Sequence, residues 1–494
     1  MKHQNQLRYG AVISYLTVAF NALSGLLYTP WMVKTIGEDD YGLYTLAISI
    51  VSFFIMDFGL SDTVTRFLSK YYEEDDLDEI GMFLSIVYKL FIIISGCVFL
   101  ILLCIYFNLD SIYTSFNDDQ LQKLKQLFAV VSFYSVVSLP FIPMQGILRA
   151  NERFICLNSI VLIQRVVNVV VIVICLLMNQ GVLTLVIVNA ITTLLSSISQ
   201  YIAVRILTNA KAQLSYWNLE KVKSVFDFSA WITIAQISQR FIFVIAPSII
   251  AILSNSREVA IFGLASSLEG YVYSVANAIN GLFMPKVSRS ANDKVAINQL
   301  MIAVGHLQVI VIGFIYIAFF AAGDRFIDCW IGNKYSILYL CVMLLITPSL
   351  FDLPQTIGDT ALITEGIVFH RAIVYVSMAI INLINLFVLV PHFGCLGACL
   401  GIMLAYLVRT IAKDYLYYTY IGINLSRFFM NVFIKWIIFA VPIAITGRII
   451  SNICSINGWF GFIIVCLVIF IIYAFVIYKY FLTSDEKRLL SHIR

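Results

Sequence analysis

Fourteen apolar runs, each of about 20 residues, follow one another along this 494-residue chain. A run of that length crosses a bilayer as a helix, because lipid offers no partner for unpaired backbone groups. Hydrophobic residues make up 61% of the chain and charged residues 12%, against about 25% charged in a soluble domain. The sequence therefore predicts an all-α integral membrane protein with fourteen transmembrane helices. They centre near residues 21, 50, 95, 138, 168, 192, 240, 270, 310, 345, 381, 404, 439 and 470.

The connections between these runs are short, and none could fold as a separate domain. The longest predicted loops lie near residues 64–81, 107–125, 206–226 and 323–337.

The 32 lysines and arginines are distributed unevenly between the two ends of the predicted helices. If both termini lie on one side, 21 fall on that side, including Arg371, Arg409 and Lys413, and seven fall opposite. The remaining four lie within predicted spans: Lys89, Arg165, Arg240 and Lys435. Because positively charged loops stay in the cytoplasm, we expect both termini to be cytoplasmic.

Three pairs of short motifs recur in the same order at nearly constant offsets. The pairs are Leu139-Pro140 with Leu353-Pro354 (214 positions), Gly181 with Gly394 (213), and Tyr41-Gly42-Leu43 with Phe262-Gly263-Leu264 (221). This pattern indicates a six-plus-six helix duplication, and because six is even the repeats are parallel. We expect six-helix bundles at residues 1–210 and 211–420, and two appended helices with a short cytoplasmic tail at 421–494. A substrate site is expected between the repeats, near the midplane.

Several function classes lack sequence support. The net charge is only +4, and no basic block or glycine-rich phosphate loop is present, which argues against nucleic-acid binding and ATP hydrolysis. The ten cysteines are scattered mostly in apolar runs without a metal-ligand spacing, so we expect them to be small packing residues. The sequence thus predicts neither a cofactor nor a metal.

Arg240 is the charged residue that most needs an explanation, because it lies near the middle of the seventh run. An ionisable side chain at the bilayer centre costs roughly 2.5–3.5 kcal/mol on insertion scales. Thr233, Gln236 and Arg240 recur at spacings of three and four and therefore share one helix face. That face is predicted to line a polar cavity and bind substrate. The alternative is a structural Arg240–Glu269 ion pair that joins two helices.

The eighth and first runs carry similar polar faces. Glu269, Tyr273, Asn277 and Asn280 lie at spacings of four, four and three, and Asn21 lies in the first run. Because the first and seventh helices correspond in the repeat, we expect these faces to outline one water-filled cavity. The substrate-binding residues are then expected to be Arg240, Gln236, Thr233, Tyr273, Asn277, Asn280 and Asn21.

Three carboxylates at predicted membrane depth are candidate sites for a coupling proton or cation: Glu269, Asp57 and Asp359. Asp359 lies in the tenth run, whose prolines and Gly358 predict a broken helix. The alternative for Asp359 is an interior carboxylate satisfied by hydrogen bonds or ion pairs.

The chain resembles Wzx-type polysaccharide flippases of the multidrug/oligosaccharidyl-lipid/polysaccharide exporter superfamily. The resemblance rests on GLLYTPWMVKTIGEDDYGLYTLAISI, MDFGLSDTVTRFLSKYY with its Asp57-Phe58-Gly59 and Arg66, Leu139-Pro140 to Arg149-Ala150, and Gly394 to Gly397-Ala398. It implies a V-shaped pair of six-helix bundles in a bacterial cytoplasmic membrane. It also implies alternating-access transport of a polyprenyl-pyrophosphate-linked oligosaccharide, within a pathway that contains a polysaccharide polymerase and other assembly proteins.

Two other functions compete with this interpretation. A multidrug or cation antiporter on the same fold would prefer an acidic, aromatic-lined cavity, which Glu269 and Asp57 favour and Arg240 disfavours. A membrane polysaccharide polymerase would need a catalytic loop outside the membrane, and the predicted loops are too short for one.

Overall fold

The computed structural model describes residues 3–54, 60–73, 76–208, 212–213, 216, 218–289, 293–454, 456 and 458–482. Within these ranges the secondary structure is helical, without a strand. The α-helices are α1 (His3–Ile36), α2 (Glu38–Phe54), α3 (Leu60–Glu73), α4 (Leu77–Ile112), α5 (Asp118–Ser138), α6 (Pro143–Ala150), α7 (Phe154–Leu177), α8 (Val182–Leu207), α9 (Leu219–Leu253), α10 (Ser256–Arg289), α11 (Lys294–Trp330), α12 (Ser336–Asp352), α13 (Thr356–Thr364), α14 (Val368–Leu416), α15 (Leu425–Phe429), α16 (Lys435–Ile453) and α17 (Gly458–Val476). Short 3₁₀ segments (Leu139–Phe141, Asn333–Tyr335, Leu353–Gln355) and π-helical segments (Tyr417–Ile421, Met430–Ile434, Ile477–Phe481) connect or extend them.

The helices agree with the predicted number of spans. Twelve helical stretches of the described chain are long and apolar enough to cross a membrane. The 17-residue α2 occupies the position of the second predicted span. The stretch Val368–Ile421 is 54 residues long and contains two predicted spans, which together with α2 brings the number to fourteen. The all-α membrane class is therefore confirmed.

The helix α14 is a hairpin of two arms, residues 368–393 and 395–416. Gly394 between them has φ 55° and ψ −133°, a conformation that glycine adopts without steric cost. Beyond this turn the arms contact each other, because the Asn385 side-chain amide donates a 3.1 Å hydrogen bond to the Gly401 carbonyl oxygen. The arms are consequently antiparallel neighbours.

The repeat is visible in the backbone. The 3₁₀ segments Leu139–Phe141 and Leu353–Gln355 interrupt the fourth and tenth spans, and both of their ends differ by 214 positions. Proline causes the interruption, because it lacks an N–H group and its ring clashes with the preceding helical turn. The helices that follow, α6 and α13, end at Ala150 and Thr364 with the same offset. The predicted duplication and the broken tenth helix are confirmed.

Two predicted loops are largely helical, so their prediction as loops is wrong. The segment near 64–81 contains α3, and the segment near 323–337 contains the end of α11. Val64 and Leu68 of α3 are fully buried in a cluster with Phe83 of α4. Their spacing of four places them on one helix face, so an amphipathic helix replaces the loop.

The chain divides into two compact units, Met1–Gly263 and Leu264–Arg494. The bundle boundaries at 210/211 and 420/421 rest on the sequence repeat and remain predictions.

Candidate functional site

The α9 helix presents a polar face on the side away from its packed face. Gln236 and Arg240 have exposed side chains and Thr233 is half-buried. Ala235 and Ile242, on the opposite side of the helix, are fully buried. Arg240 also lies seven residues inside the apolar stretch Thr233–Leu253, at membrane depth. Gln236 and Arg240 therefore lie on the less buried side of the described part of α9, and the role of this face in binding substrate stays a prediction.

The other predicted substrate-binding residues differ in exposure. The side chains of Asn21 in α1 and of Tyr273 and Asn277 in α10 are exposed. Asn280 is buried, and its side-chain oxygen accepts a 2.7 Å hydrogen bond from Gln308 of α11. Asn280 therefore has a packing partner that the sequence did not reveal.

Glu269 lies in the interior of the second unit. Its side chain is buried within the apolar stretch Ser256–Asn280. The Ser349 hydroxyl of α12 donates a 3.0 Å hydrogen bond to Glu269 Oε1. A hydrogen bond offsets part of the cost of placing a carboxyl group at this depth.

Asp359 belongs to a buried ion cluster, which we define as Asp352, Asp359, Arg371, Arg409 and Lys413. The Arg371 guanidinium donates two hydrogen bonds to Asp359, with Nε–Oδ1 at 3.0 Å and Nη2–Oδ2 at 2.9 Å. This two-point geometry is the strongest way in which arginine binds a carboxylate. The satisfied-carboxylate alternative for Asp359 is thus supported by these contacts.

Asp352 forms the second centre of the ion cluster. Arg409 Nη2 lies 2.5 Å from Asp352 Oδ2, and Lys413 Nζ lies 2.8 Å from Asp352 Oδ1. Lys413 also lies 3.9 Å from Asp359, which joins the two centres. The side chains of Arg409 and Lys413 are 0% and 2% exposed. Charges this deeply buried must be paired.

Aromatic rings cover the Arg409 guanidinium, which lies 4.1 Å from the Tyr406 ring centroid and 5.2 Å from that of Tyr375. Cation–π contacts of this kind stabilise a cation that has lost its water. Arg409 Nε and Nη1 are nevertheless buried without a hydrogen-bond partner among the described protein atoms. The N–H groups of these two nitrogens suit water or an anionic oxygen.

The ion cluster results from the break in the tenth span and from the α14 hairpin. Asp352 ends α12 and Asp359 lies in α13, while Arg371 lies in the first arm of α14. Arg409 and Lys413, four residues apart on the second arm, share a face. The sequence pattern did not predict the cluster, because Arg371, Arg409 and Lys413 lie on the side of the membrane predicted to be cytoplasmic. The sequence does contain one indication of the cluster. Asp352 and Asp359 are two carboxylates in the tenth run, and carboxylates at membrane depth need counter-charges.

A second polar contact joins the N-terminal ends of α2 and α10, and we call it the α2–α10 contact. Arg257 Nε lies 2.8 Å from Glu38 Oε2, and the Ser256 hydroxyl donates a hydrogen bond to Asp39. Gly42 faces the Ser256 carbonyl group with no room for a Cβ. The contact therefore brings together the two aromatic-Gly-Leu motifs of the sequence repeat.

Asp57, the third candidate coupling residue, lies outside the described residues.

The ion cluster predicts a large loss of stability when one charge is removed. Asp359→Asn leaves the Arg371 guanidinium buried without its counter-charge. We expect the free energy of unfolding to fall by about 3–5 kcal/mol. The measurement is thermal unfolding of the detergent-solubilised protein, and Asp359→Asn combined with Arg371→Met should recover part of the loss.

The matched control is the exposed ion pair Asp110–Lys125, with a 2.6 Å N–O distance and side-chain exposures of 55% and 31%. Asp110→Asn should cost only about 0–1 kcal/mol, because water and salt screen a surface pair. Equal losses from Asp359→Asn and Asp110→Asn would contradict a tightly buried cluster.

Comparisons with known proteins agree with this architecture. Residues 7–291, more than half of the chain, match the family described as "Polysaccharide biosynthesis protein". A comparison with curated protein sequences finds no match.

Among solved structures, the fold is similar to that of the lipid II flippase MurJ in its inward closed conformation. The TM-score is 0.70 at 12% identity, covering 95% of this chain and 98% of that one. It is also similar to an inward-facing multidrug resistance MATE family transporter of the MOP superfamily, with TM-score 0.64, 12% identity and coverage of 83% and 98%. A third similar structure is the Vibrio cholerae MATE transporter VcmN in the bent form. Its TM-score is 0.53 at 14% identity, covering 87% of this chain and 99% of that one.

At such identities the similarity concerns the fold, whereas the family match extends over the sequence itself. The chain therefore belongs to the polysaccharide biosynthesis protein family and has the fold of the MOP-superfamily transporters.

Proposed function

We propose that this protein translocates a polyprenyl-pyrophosphate-linked oligosaccharide from the cytoplasmic to the outer leaflet of a bacterial cytoplasmic membrane. The family match supports a role in polysaccharide biosynthesis, and a solved structure of similar fold is named a lipid II flippase. Translocation proceeds by alternating access. Both termini are cytoplasmic, in keeping with the excess of lysine and arginine on their side.

The observation that carries this proposal is the exposed position of Arg240 at membrane depth. A pyrophosphate head is anionic and must leave water to cross the bilayer. A guanidinium stays charged and can hold two phosphate oxygens with its planar fork, so Arg240 binds the head. Gln236 and Thr233, on the same face of α9, add hydrogen bonds.

Sugars need amide and hydroxyl partners, and the described chain offers several. Asn21, Tyr273 and Asn277 are exposed polar residues that hydrogen-bond the oligosaccharide in this proposal. Asn280 contributes to sugar binding indirectly in this proposal, through Gln308, whose side chain donates a hydrogen bond to it. The polyprenyl tail stays in the lipid, because about 0.8 kcal/mol favours each CH₂ group there over water. The carrier lipid is thus the substrate, and the polymerase and other assembly proteins of the pathway are its expected partners.

An ion gradient drives the cycle in this proposal, through Glu269 and Asp57. Asp359 is the weaker candidate, because two hydrogen bonds to Arg371 already occupy its oxygens. Glu269 has a neutral hydrogen-bond donor in Ser349, so its charge remains available to a proton or a cation.

A multidrug or cation antiporter is the alternative function on this fold. The similarity of the fold to that of a MATE transporter is compatible with this alternative, and the buried Glu269 favours it. Arg240 argues against it, because an exposed cation in the membrane repels a cationic substrate. A polysaccharide polymerase is the less favoured third function, and no catalytic role is proposed for any residue.

The first test concerns Arg240. Arg240→Ala should reduce translocation to background at normal membrane abundance, because removing a charge at membrane depth lowers the insertion cost. Arg240→Lys should retain part of the activity, since lysine keeps the charge without the planar fork. Translocation is measured with lipid-linked oligosaccharide placed in one leaflet of reconstituted vesicles. The control is Arg205→Ala, because Arg205 is an exposed arginine near the end of α8 that stacks on Tyr201.

Arg240→Ala combined with Glu269→Ala separates the headgroup role from a structural ion pair. Recovery of transport in this double variant would falsify the headgroup role. Recovery of abundance without transport would support it.

The second test concerns coupling. Glu269→Gln keeps the shape and the hydrogen bond but not the charge, so transport should no longer respond to an imposed proton or sodium gradient. Ser349→Ala is the matched control, because it removes the hydrogen bond and leaves the carboxylate in place. Transport is followed in vesicles with and without the gradient. An unchanged gradient response in Glu269→Gln with Asp57→Asn would rule out both residues as the coupling site.

The third test concerns alternating access. We expect the α2–α10 contact to part during the cycle. Asp39 and Ser256 both have short side chains in hydrogen-bond contact, so a disulfide formed after Asp39→Cys with Ser256→Cys should block transport until it is reduced. A protease site inserted after Thr208 reports the cross-link, because only linked fragments stay together on a denaturing gel.

The corresponding control is Asp110→Cys with Lys125→Cys, which links two helices of the first unit at an exposed ion pair. Its protease site is inserted between α4 and α5, because both substituted residues precede Thr208. Cross-linking there should leave transport intact. Full transport by the protein cross-linked at Asp39 and Ser256 would show that this contact does not move.

A further inference from the structure

Three thiols from two helices meet in the second unit. Cys341 lies in α12, while Cys395 and Cys399 lie four residues apart on one face of the second arm of α14. The three Sγ atoms lie within 4.8 Å of one another, and Cys341 Sγ is 3.6 Å from Cys395 Sγ. All three side chains are fully buried. We call this group the thiol cluster.

The surrounding fold determines the position of the thiol cluster. Cys395 directly follows the Gly394 turn, so its position depends on the direction that this turn gives to the second arm. The Asp352–Arg409 ion pair joins the same two helices further along, 11 residues after Cys341 and 10 residues after Cys399. Because both positions advance in the same direction, α12 and the second arm run parallel. At 1.5 Å per residue, about 15 Å separates the thiol cluster from this ion pair.

The chemistry of three converging sulfurs favours a metal ion over a disulfide. A disulfide uses two sulfurs at about 2.05 Å and would leave the third unused. Three sulfurs that all lie within 4.8 Å of one another share a central point that is at most about 2.8 Å from each of them, slightly more than a Zn–S bond length of about 2.3 Å. A small inward movement would therefore complete a three-coordinate site. Sulfur ligands alone select thiophilic ions.

We propose that Cys341, Cys395 and Cys399 form a structural binding site for a thiophilic d¹⁰ metal ion, Zn²⁺ or Cu⁺. The ion bonds to thiolates, so the thiol protons pass to water as it binds. Full burial means that the ion is loaded while the second unit folds and is not transported. Its role is to hold α12 against the second arm of α14, and thereby to keep Asp352 facing Arg409.

The experiment uses the full chain, expressed in cells supplied with Zn²⁺, Cu⁺ or the spectroscopic probe Cd²⁺, and purified in detergent under anaerobic conditions. Metal per protein is measured by mass spectrometry, and Cd–thiolate bonds by their ultraviolet charge-transfer absorption. Cys341→Ala, Cys395→Ala and Cys399→Ala test the three ligands. Cys175→Ala, at a buried cysteine of α7 in the first unit, is the control.

We expect about one Zn²⁺ or Cu⁺ per chain, which also identifies the native ion, and one Cd²⁺ with thiolate absorption in its place. In each ligand variant the amount of ion bound per chain should fall at least tenfold, while Cys175→Ala should keep the ion. The unfolding temperature of the unsubstituted protein should rise with bound Cd²⁺. Folded, unsubstituted protein that carries no ion and no Cd–thiolate absorption would overturn the proposal, whether or not the variants fold. A native disulfide between any two of the three cysteines would overturn it as well.

Discussion

The absence of water in the hydrocarbon core is the constraint on which this structure depends. Backbone groups there must pair within their own segment, so every described span is a helix. Charged side chains face the same requirement, and Asp352, Asp359, Arg371, Arg409 and Lys413 meet it by pairing with one another. The helix break and the α14 hairpin bring these five residues together. The resulting ion pairs and cation–π contacts replace the hydration that each charge loses on burial.

The buried charges of the ion cluster differ in exposure from the polar residues on the outer face of α9. The charges of the ion cluster are paired with one another, and removing one partner would strand a buried charge. They are suited to holding α12, α13 and α14 in one arrangement. Arg240 lies on the side of α9 opposite the buried Ala235 and Ile242, so its charge points away from the packed interior of the first unit.

Glycine and proline mark the positions where the helices change direction or approach closely. Pro140 and Pro354 interrupt equivalent spans of the repeat, and Gly394 reverses the chain between the arms of α14. Gly42 leaves space for the Ser256 carbonyl group in the α2–α10 contact. That contact combines polar bonds with a close backbone approach.

The sequence by itself determined the membrane class, the fourteen spans, the repeat and the broken tenth helix. All of these depend on local apolar length, proline and motif spacing, which a linear chain displays directly. It also indicated that Arg240, Gln236 and Thr233 share a face, because helical spacing fixes that relation. Only the tertiary structure decided which charges pair. Asp352 and Arg409 are 57 positions apart, and Cys341 and Cys395 are 54 apart. Such contacts follow from how α12 packs against the returning arm of α14, and a spacing along the chain does not encode that packing.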